Sequence, residues 1–416
     1  MRISYSGGGF WLGLIQAFSL YLNKYLTNTC RFTRRTQWIR VMPHESSRHS
    51  AASDDTNEGP EALRRMENLA PYKQGKMAIP GRESVIKLSS NESCFGPSPR
   101  AIEAYHAAAA SVHRYPDGTQ AQLRQAIARA YDLDPDRIVC GNGSEELIGL
   151  LMRCYLGEGE ELLLTENHFM MCSIYGKAQG ANIVLAPEKD YVVDVDALLE
   201  RITPQTRVIS VANPNNPTGT YVPATDIERL VDEVPENVLL ILDGAYAEYV
   251  DRDDFDDGLY WGDAASNVVI TRTFSKIYGL AGLRIGWAYG PAPIIEVVNR
   301  LRTPFNASGP AMAAATAAVA DQAHVAMSRE HTARWQERIR QSLAGLGLKV
   351  VPSVTNFYLL DFSSMPGKNA AEASAFLESD GIIPRPGSSD RFVRITIGTD
   401  AENEAVLDSL TRYLSS

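Results

Sequence analysis

The 416-residue sequence is poor in cysteine: Cys30, Cys94, Cys140, Cys154 and Cys172 form neither a CxxC pair nor a Cys/His spacing suited to zinc. Neither a disulfide framework nor a metal site is indicated, and a reducing, cytoplasmic setting is the default. Basic charge is also scarce. With 40 Lys and Arg against 50 Asp and Glu, the formal charge of -10 argues against a general nucleic-acid binder, because phosphate backbones need a basic face. No apolar run is long enough to span a membrane: "GFWLGLIQAFSLYL" is interrupted by Gln16 and reaches only about 14 residues, against the roughly 20 required. There is no internal repeat.

What remains is a globular composition, 44% hydrophobic, long enough for two domains and suited to small-molecule enzymology. The first sixty residues read apart from the rest. Arg31, Arg34, Arg35 and Arg40 occur before the first acidic residue, Glu45, in the manner of an organelle transit peptide. The alternative is an upstream start with no role, since Met66 lies just before the patterned sequence. Under either reading "HSAASDDTNEGPEA" has the composition of a disordered linker.

From about residue 100, helical segments ("AIEAYHAAAASV", "AQLRQAIARAYDL") alternate with short β-branched runs ("ELLLT", "RVISVAN", "NVLLILD", "NVVITRT"). Runs apolar on both faces predict an α/β fold with a mostly parallel sheet covered by helices. Ligands should then bind at the carboxyl ends of its strands. After "TPFNASGP" an Ala-rich helix, "AMAAATAAVADQ", leads to a smaller α+β domain containing "RFVRITIG".

Three loops stand out. "GNGSEELIGL" follows the strand "RIVC" and opens a helix, so the amides of Gly143, Ser144 and Glu145 should face outward as an anion site. An ordinary tight turn is the plainer reading of that loop, as it is of "NPNNPTG" at 213–219. Asp243 ends the apolar run "LILD", where a carboxylate needs a cationic partner, either a structural arginine or a ligand. Lys276 and Arg284 sit in "TRTFSKIYGLAGLRIGW". A ligand needing an anion pocket, a buried acid, hydroxyl partners and a desolvated amine is pyridoxal 5'-phosphate.

These motifs, with "LAPYKQGK", "KLSSNESCFGPSP", "HRYPDG", "LDGAYAEY" and "VRITIGT", occur in an order that resembles the fold type I pyridoxal-phosphate aminotransferases, most closely their histidinol-phosphate branch. The resemblance runs from about Leu69 to the C-terminus. It implies an extension at 1–62, an arm at 63–92 joining the small domain, a large cofactor domain at 93–310 and a small domain at 311–416.

The resemblance also implies roles for individual residues. Lys276 is the lysine that bonds the cofactor and moves the proton, working as a neutral amine. Asp243 pairs with the pyridine nitrogen, while Tyr246 and Asn216 donate to the phenolic oxygen. Arg284, Ser275, Thr273 and the helix start at Ser144 and Glu145 hold the phosphate. Phe169 stacks on the ring, or else is an ordinary core phenylalanine. Tyr115 reaches the phosphate of a neighbouring subunit, which implies a homodimer with shared sites. Arg394 holds the substrate's anionic group; Arg385 and Tyr72 line the same end of the site, or else are a surface arginine and a solvated loop tyrosine, and Asn91 lies near its entrance.

The reaction implied is transfer of an amino group from a small-molecule donor, histidinol phosphate, to a 2-oxo acid, 2-oxoglutarate. Gly244 stands where relatives often have an acid, and Cys172 where many have tyrosine. "NES" followed by Cys94, and the short "GSSDRF" connection, depart from the pattern beside the substrate. An aromatic or other amino-acid transaminase, or a related decarboxylase, therefore stays open. A ligand-sensing transcription regulator would need a DNA-binding domain, and residues 1–62 show no helix-turn-helix pattern.

Overall fold

The computed structural model describes residues 60–67, 69–387 and 389–416; the apolar run, the arginine-rich stretch and nearly all of the expected linker lie outside the described residues. Residues 61–416 cluster as one unit.

A short strand, β1 (Ile86–Lys87), belongs to the N-terminal arm. Next come β2 (Ile138–Gly141), β3 (Glu161–Thr165) and β4 (Asn182–Ala186), a hairpin of β5 (Glu188–Lys189) and β6 (Val192–Val193), then β7 (Thr206–Ala212), β8 (Leu239–Asp243), β9 (Val268–Thr273) and β10 (Gly286–Tyr289). Seven of these make one sheet in the order β2-β10-β9-β8-β7-β3-β4. Its β4, β3, β7, β8 and β9 run parallel and β10 is antiparallel to both neighbours.

The apolar runs became strands because both faces of the sheet are covered. In β8, Leu240 and Leu242 join a cluster with Val268, Ile270 and Phe274, while Leu239 and Ile241 face a second cluster with Leu147, Leu151 and Val269. Each such side chain contributes roughly 1.5–3 kcal/mol by leaving water. The parallel strands end at one edge, and the turns that follow β3, β7, β8 and β9 gather there.

A second sheet of β11 (Lys349–Val351), β12 (Phe357–Asp361), β14 (Arg385–Pro386) and β15 (Phe392–Thr396) is antiparallel, with the order β11-β12-β15-β14. It packs its own core around Trp335, Ile339, Leu360, Ile395 and Val406. Between β12 and β14 lies β13 (Ile382–Ile383), which pairs in parallel with β1, and Leu88 enters this smaller core.

The Ala-rich helix Gly309–Ala320 departs from the expected boundary at 310/311. Ala311, Ala314, Ala315 and Ala318 are buried in the large-sheet core, where the helix packs on Pro99–Ala109 and Ala121–Tyr131. Small side chains permit that close approach, so residues 311–320 side with the large sheet. The helix Gln322–Ala344 then carries the chain to the small core. Among the described residues no helix is long and apolar enough to cross a membrane.

Candidate active site

The chain leaves β2 through Asn142 and Gly143 and enters the helix Ser144–Tyr155. Gly143 is the N-cap at φ 84°, with no side-chain cap, so the amides of Ser144 and Glu145 have no intrahelical partner. The Gly143 amide, expected to face outward with them, donates instead to the Gly141 carbonyl at 2.8 Å. The cradle is therefore made by two amides rather than three.

Arg284, itself at φ 52°, completes the cradle. Its Nη1 donates to Ser275 Oγ and to the Ala281 carbonyl, each at 3.2 Å. A Cβ on Gly143 would lie 2.5 Å from Arg284 Nη2, and one on Gly286 would lie 2.3 Å from the Ser144 amide nitrogen. Gly286 is thus required by close approach to backbone, and Gly143 by its positive φ. The Ser275 amide donates to Thr273 Oγ1 at 3.1 Å, which fixes the turn out of β9. Ser144, Glu145, Thr273, Ser275 and Arg284 are brought together around free amides and a guanidinium, an arrangement that could hold an anion.

Asp243 ends β8, opposite Ala212 on one side and Thr271 on the other. Its Oδ1 accepts from Thr271 Oγ1 at 2.9 Å. No lysine or arginine pairs with it among the described residues. Burial raises its pKa to about 6, opposed by the Thr271 hydroxyl, the Ala245 amide and the charges of Arg272 and Lys276. The cation expected at this carboxylate is not a protein side chain; a pyridinium N–H fits the place.

Lys276 is buried, and its Nζ donates to the Ser90 carbonyl at 3.1 Å. Burial lowers its pKa to about 8; the positive charges of Arg394 and Arg284 push in the same direction, and Glu92 and Asp243 push against it. A substantial neutral fraction at working pH is what a nucleophilic, proton-moving amine needs.

Tyr246 and Asn216 stand around the same volume with their donors free. Asn91, whose role sequence left open, holds φ 55° and donates from Nδ2 to the Tyr246 hydroxyl oxygen at 2.7 Å. That bond uses a lone pair and leaves the phenol proton available. Asn216 accepts through Oδ1 from Arg394 Nη1 at 2.6 Å, which leaves its NH2 to donate elsewhere. Arg394 Nη2 donates to the Ser89 carbonyl at 3.2 Å, and its guanidinium lies over the Phe357 ring. Its Nε is buried without a partner. A buried guanidinium with spare donors is suited to an anionic group on a ligand.

The other expected residues lie at the rim. Arg385 Nη2 donates to the Lys73 carbonyl at 2.8 Å and its guanidinium stands over the Tyr72 ring, so these two form one half-exposed pair. Phe169 caps the helix Met170–Gln179 and packs on the same core cluster as Ile241, the face that Asp243 shares by strand alternation. Tyr115 is 84% exposed and stacks on Phe305, their centroids 4.7 Å apart. Together with Arg284 it lines an open cavity of about 780 Å³.

One group was not foreseen. Arg272, within "TRTFSK", is fully buried between Glu248 at 3.5 Å and Asp257 at 3.1 Å. A Cβ on Gly244 would lie 2.9 Å from Arg272 Nε. The absence of a side chain at Gly244 leaves the space that this arginine occupies. Cys172 is buried with Sγ 3.7 Å from Ser210 Oγ and acts as a small core residue.

The whole chain can be compared with known proteins. Residues 83–410 match the sequence profile of the family "Aminotransferase class I and II". The chain is 50% identical over 355 residues to a histidinol-phosphate aminotransferase of Nitrobacter hamburgensis, covering 84% of this chain and 96% of that protein. It is 49% identical over 353 residues to the one from Rhodopseudomonas palustris, with the same coverages. The crystal structure of histidinol-phosphate aminotransferase from Sinorhizobium meliloti in complex with pyridoxal-5'-phosphate superposes with a TM-score of 0.74 at 32% identity, covering 80% of this chain and 92% of that one.

Proposed function

The chain belongs to the class I and II aminotransferase family, and on that premise we propose that it is a pyridoxal-phosphate-dependent transaminase that passes the amino group of histidinol phosphate to 2-oxoglutarate, leaving imidazole acetol phosphate and glutamate. The observation that carries this reading is the pairing of a buried, cation-free carboxylate at Asp243 with a buried amine at Lys276, set beside an anion cradle. The cofactor's phosphate suits the Ser144 and Glu145 amides with Thr273, Ser275 and Arg284. Its pyridinium suits Asp243, its phenolic oxygen suits Tyr246 and Asn216, and its ring face suits Phe169.

Pyridoxal phosphate, when bound, supplies an electron-accepting ring and a carbonyl that carries the amino group from donor to acceptor. The chain supplies the rest. Asp243 keeps the ring nitrogen protonated. Lys276 Nζ, neutral, removes the proton from the donor carbon that bears nitrogen and returns it from the resulting ammonium. Burial of both residues excludes water from that exchange. Arg394, with Arg385 and Tyr72 outside it, holds the anionic end of the substrate. The histidinol-phosphate assignment rests on the relatives at about 50% identity.

The working form in this reading is a homodimer. Tyr115 of one copy extends to the phosphate held by the other, which accounts for a tyrosine so exposed beside an apolar partner ring. Mixing purified protein with histidinol phosphate and following conversion of the bound cofactor by absorbance tests the donor. Release of carbon dioxide without glutamate would mean decarboxylation instead.

A further inference from the structure

The two-residue turn of the β5–β6 hairpin, far along the chain from the catalytic motifs, holds Asp190 at φ 51° and Tyr191 at φ 70°. A hairpin turn of this kind is ordinarily made with Asn or Gly, because a bulky side chain at positive φ is strained. Backbone strain at one tyrosine calls for something that its side chain does.

The Tyr191 side chain crosses to the small sheet. Its hydroxyl donates to Asp361 Oδ2 at 2.5 Å, and Asp361 is buried at the end of β12. Arg391 closes the cluster through Nε to Asp361 Oδ1 at 2.9 Å, while its Nη2 donates to the Tyr191 hydroxyl. Lys349 Nζ lies 4.8 Å from the centre of the Tyr191 ring. Arg391 stands directly before β15, the strand that carries Arg394.

The hairpin is also bonded to the loops assigned to the cofactor, through the turn and through β5. The Tyr191 carbonyl accepts from Thr220 Oγ1 at 2.6 Å, and the Thr220 carbonyl accepts from the Asn215 amide at 2.8 Å, next to Asn216. Glu188 in β5 accepts from the Asn167 amide at 3.1 Å and from its Nδ2 at 2.8 Å, two residues before Phe169. Asn215 Nδ2 donates to the Asn167 carbonyl at 2.8 Å, which ties the two loops to each other.

We propose that Tyr191 is a positioning residue for transamination: it makes the β5–β6 hairpin a strut between the strand carrying Arg394 and the loops carrying Asn216 and Phe169. The role rests on the transaminase reading for its catalytic meaning and on the hydrogen bonds above for its mechanics. The strut holds the group that grips the substrate's anionic end in register with the groups that face the cofactor ring.

Hydrogen exchange on the full-length protein, with and without pyridoxal phosphate, tests the mechanics. Tyr191→Phe keeps the ring and loses the hydroxyl; Tyr191→Gly relieves the turn and removes the contact. Both should raise amide exchange in segments 166–170 and 213–222 by about tenfold, the scale of one charge-assisted hydrogen bond, and leave Leu239–Asp243 unchanged. Unchanged exchange in those segments, or a rise extending through Leu239–Asp243, would overturn the strut. In steady state Tyr191→Phe should raise the donor KM roughly tenfold with kcat within about twofold. An unchanged KM alongside raised exchange would overturn the positioning role. If the wild-type protein does not convert histidinol phosphate, it is the donor assignment that fails, and the exchange result still decides the strut.

Discussion

Arg394 Nη1 lies 2.6 Å from Asn216 Oδ1, so the residue assigned to the substrate and a residue assigned to the cofactor are one hydrogen-bonded unit. The bond joins β15 of the small sheet to the loop after β7. Asn216→Ala removes the acceptor and leaves Arg394 with the Ser89 carbonyl alone. The donor KM and the cofactor dissociation constant should both rise about tenfold, and a change in only one would show that the two residues act separately.

Lys276→Ala should abolish the visible absorbance of lysine-bound cofactor and lower turnover by at least about 10⁴-fold. Absorbance and single-turnover rates measured on the same preparation check this. Ordinary turnover in the variant would remove the proposed proton carrier.

Asp243→Asn should stabilise the cofactor-free protein while nearly eliminating activity. Burial raises the folded pKa of Asp243 to about 6 from 3.8, so the folded state holds more protons than the unfolded chain between those values, and its stability falls as pH rises through that window. Above it the wild type carries the full penalty, up to about 3 kcal/mol, which the amide avoids. Melting curves at pH 4 and pH 8 should separate the two proteins only at the higher pH. Equal melting at both would mean that the carboxylate is compensated in the folded protein.

Gly143→Ala tests the anion cradle. The new methyl would press on Arg284 Nη2 at 2.5 Å, at a backbone φ of 84° that alanine resists. Cofactor affinity should drop about 10- to 100-fold, an effect that titration of the cofactor-free variant would measure. Undiminished affinity would place the phosphate elsewhere.

Much of this was legible in the chain itself, for identifiable reasons. Strands buried on both faces read as unbroken β-branched runs, and turns that need glycine or proline at special φ mark the edge where ligands bind. The Gly143 amide was misread because motif spacing does not reveal that a tight turn closes on Gly141. The sequence of Gly309–Ala320 does not reveal that it joins the large-sheet core, because an alanine helix has no polar face to show which core it meets. Arg272 and Tyr191 were invisible for another reason: each is defined by partners distant in sequence, Glu248 and Asp257 for one, Asp361 and Arg391 for the other. Only Gly244, departing from the expected acid, hinted at the buried arginine.

Tyr115→Phe should weaken cofactor retention in the partner subunit rather than its own. Mixed dimers with Lys276→Ala chains distinguish these, since only one kind of site can then turn over. Loss confined to the chain bearing the substitution would contradict shared sites.

The most direct test is a single-turnover comparison on the cofactor-loaded enzyme, with histidinol phosphate, phenylalanine, tyrosine and aspartate each mixed at equal concentration and the absorbance change followed. The account predicts fast conversion selective for histidinol phosphate. Faster conversion of an aromatic amino acid or aspartate, or none with any donor, would contradict it.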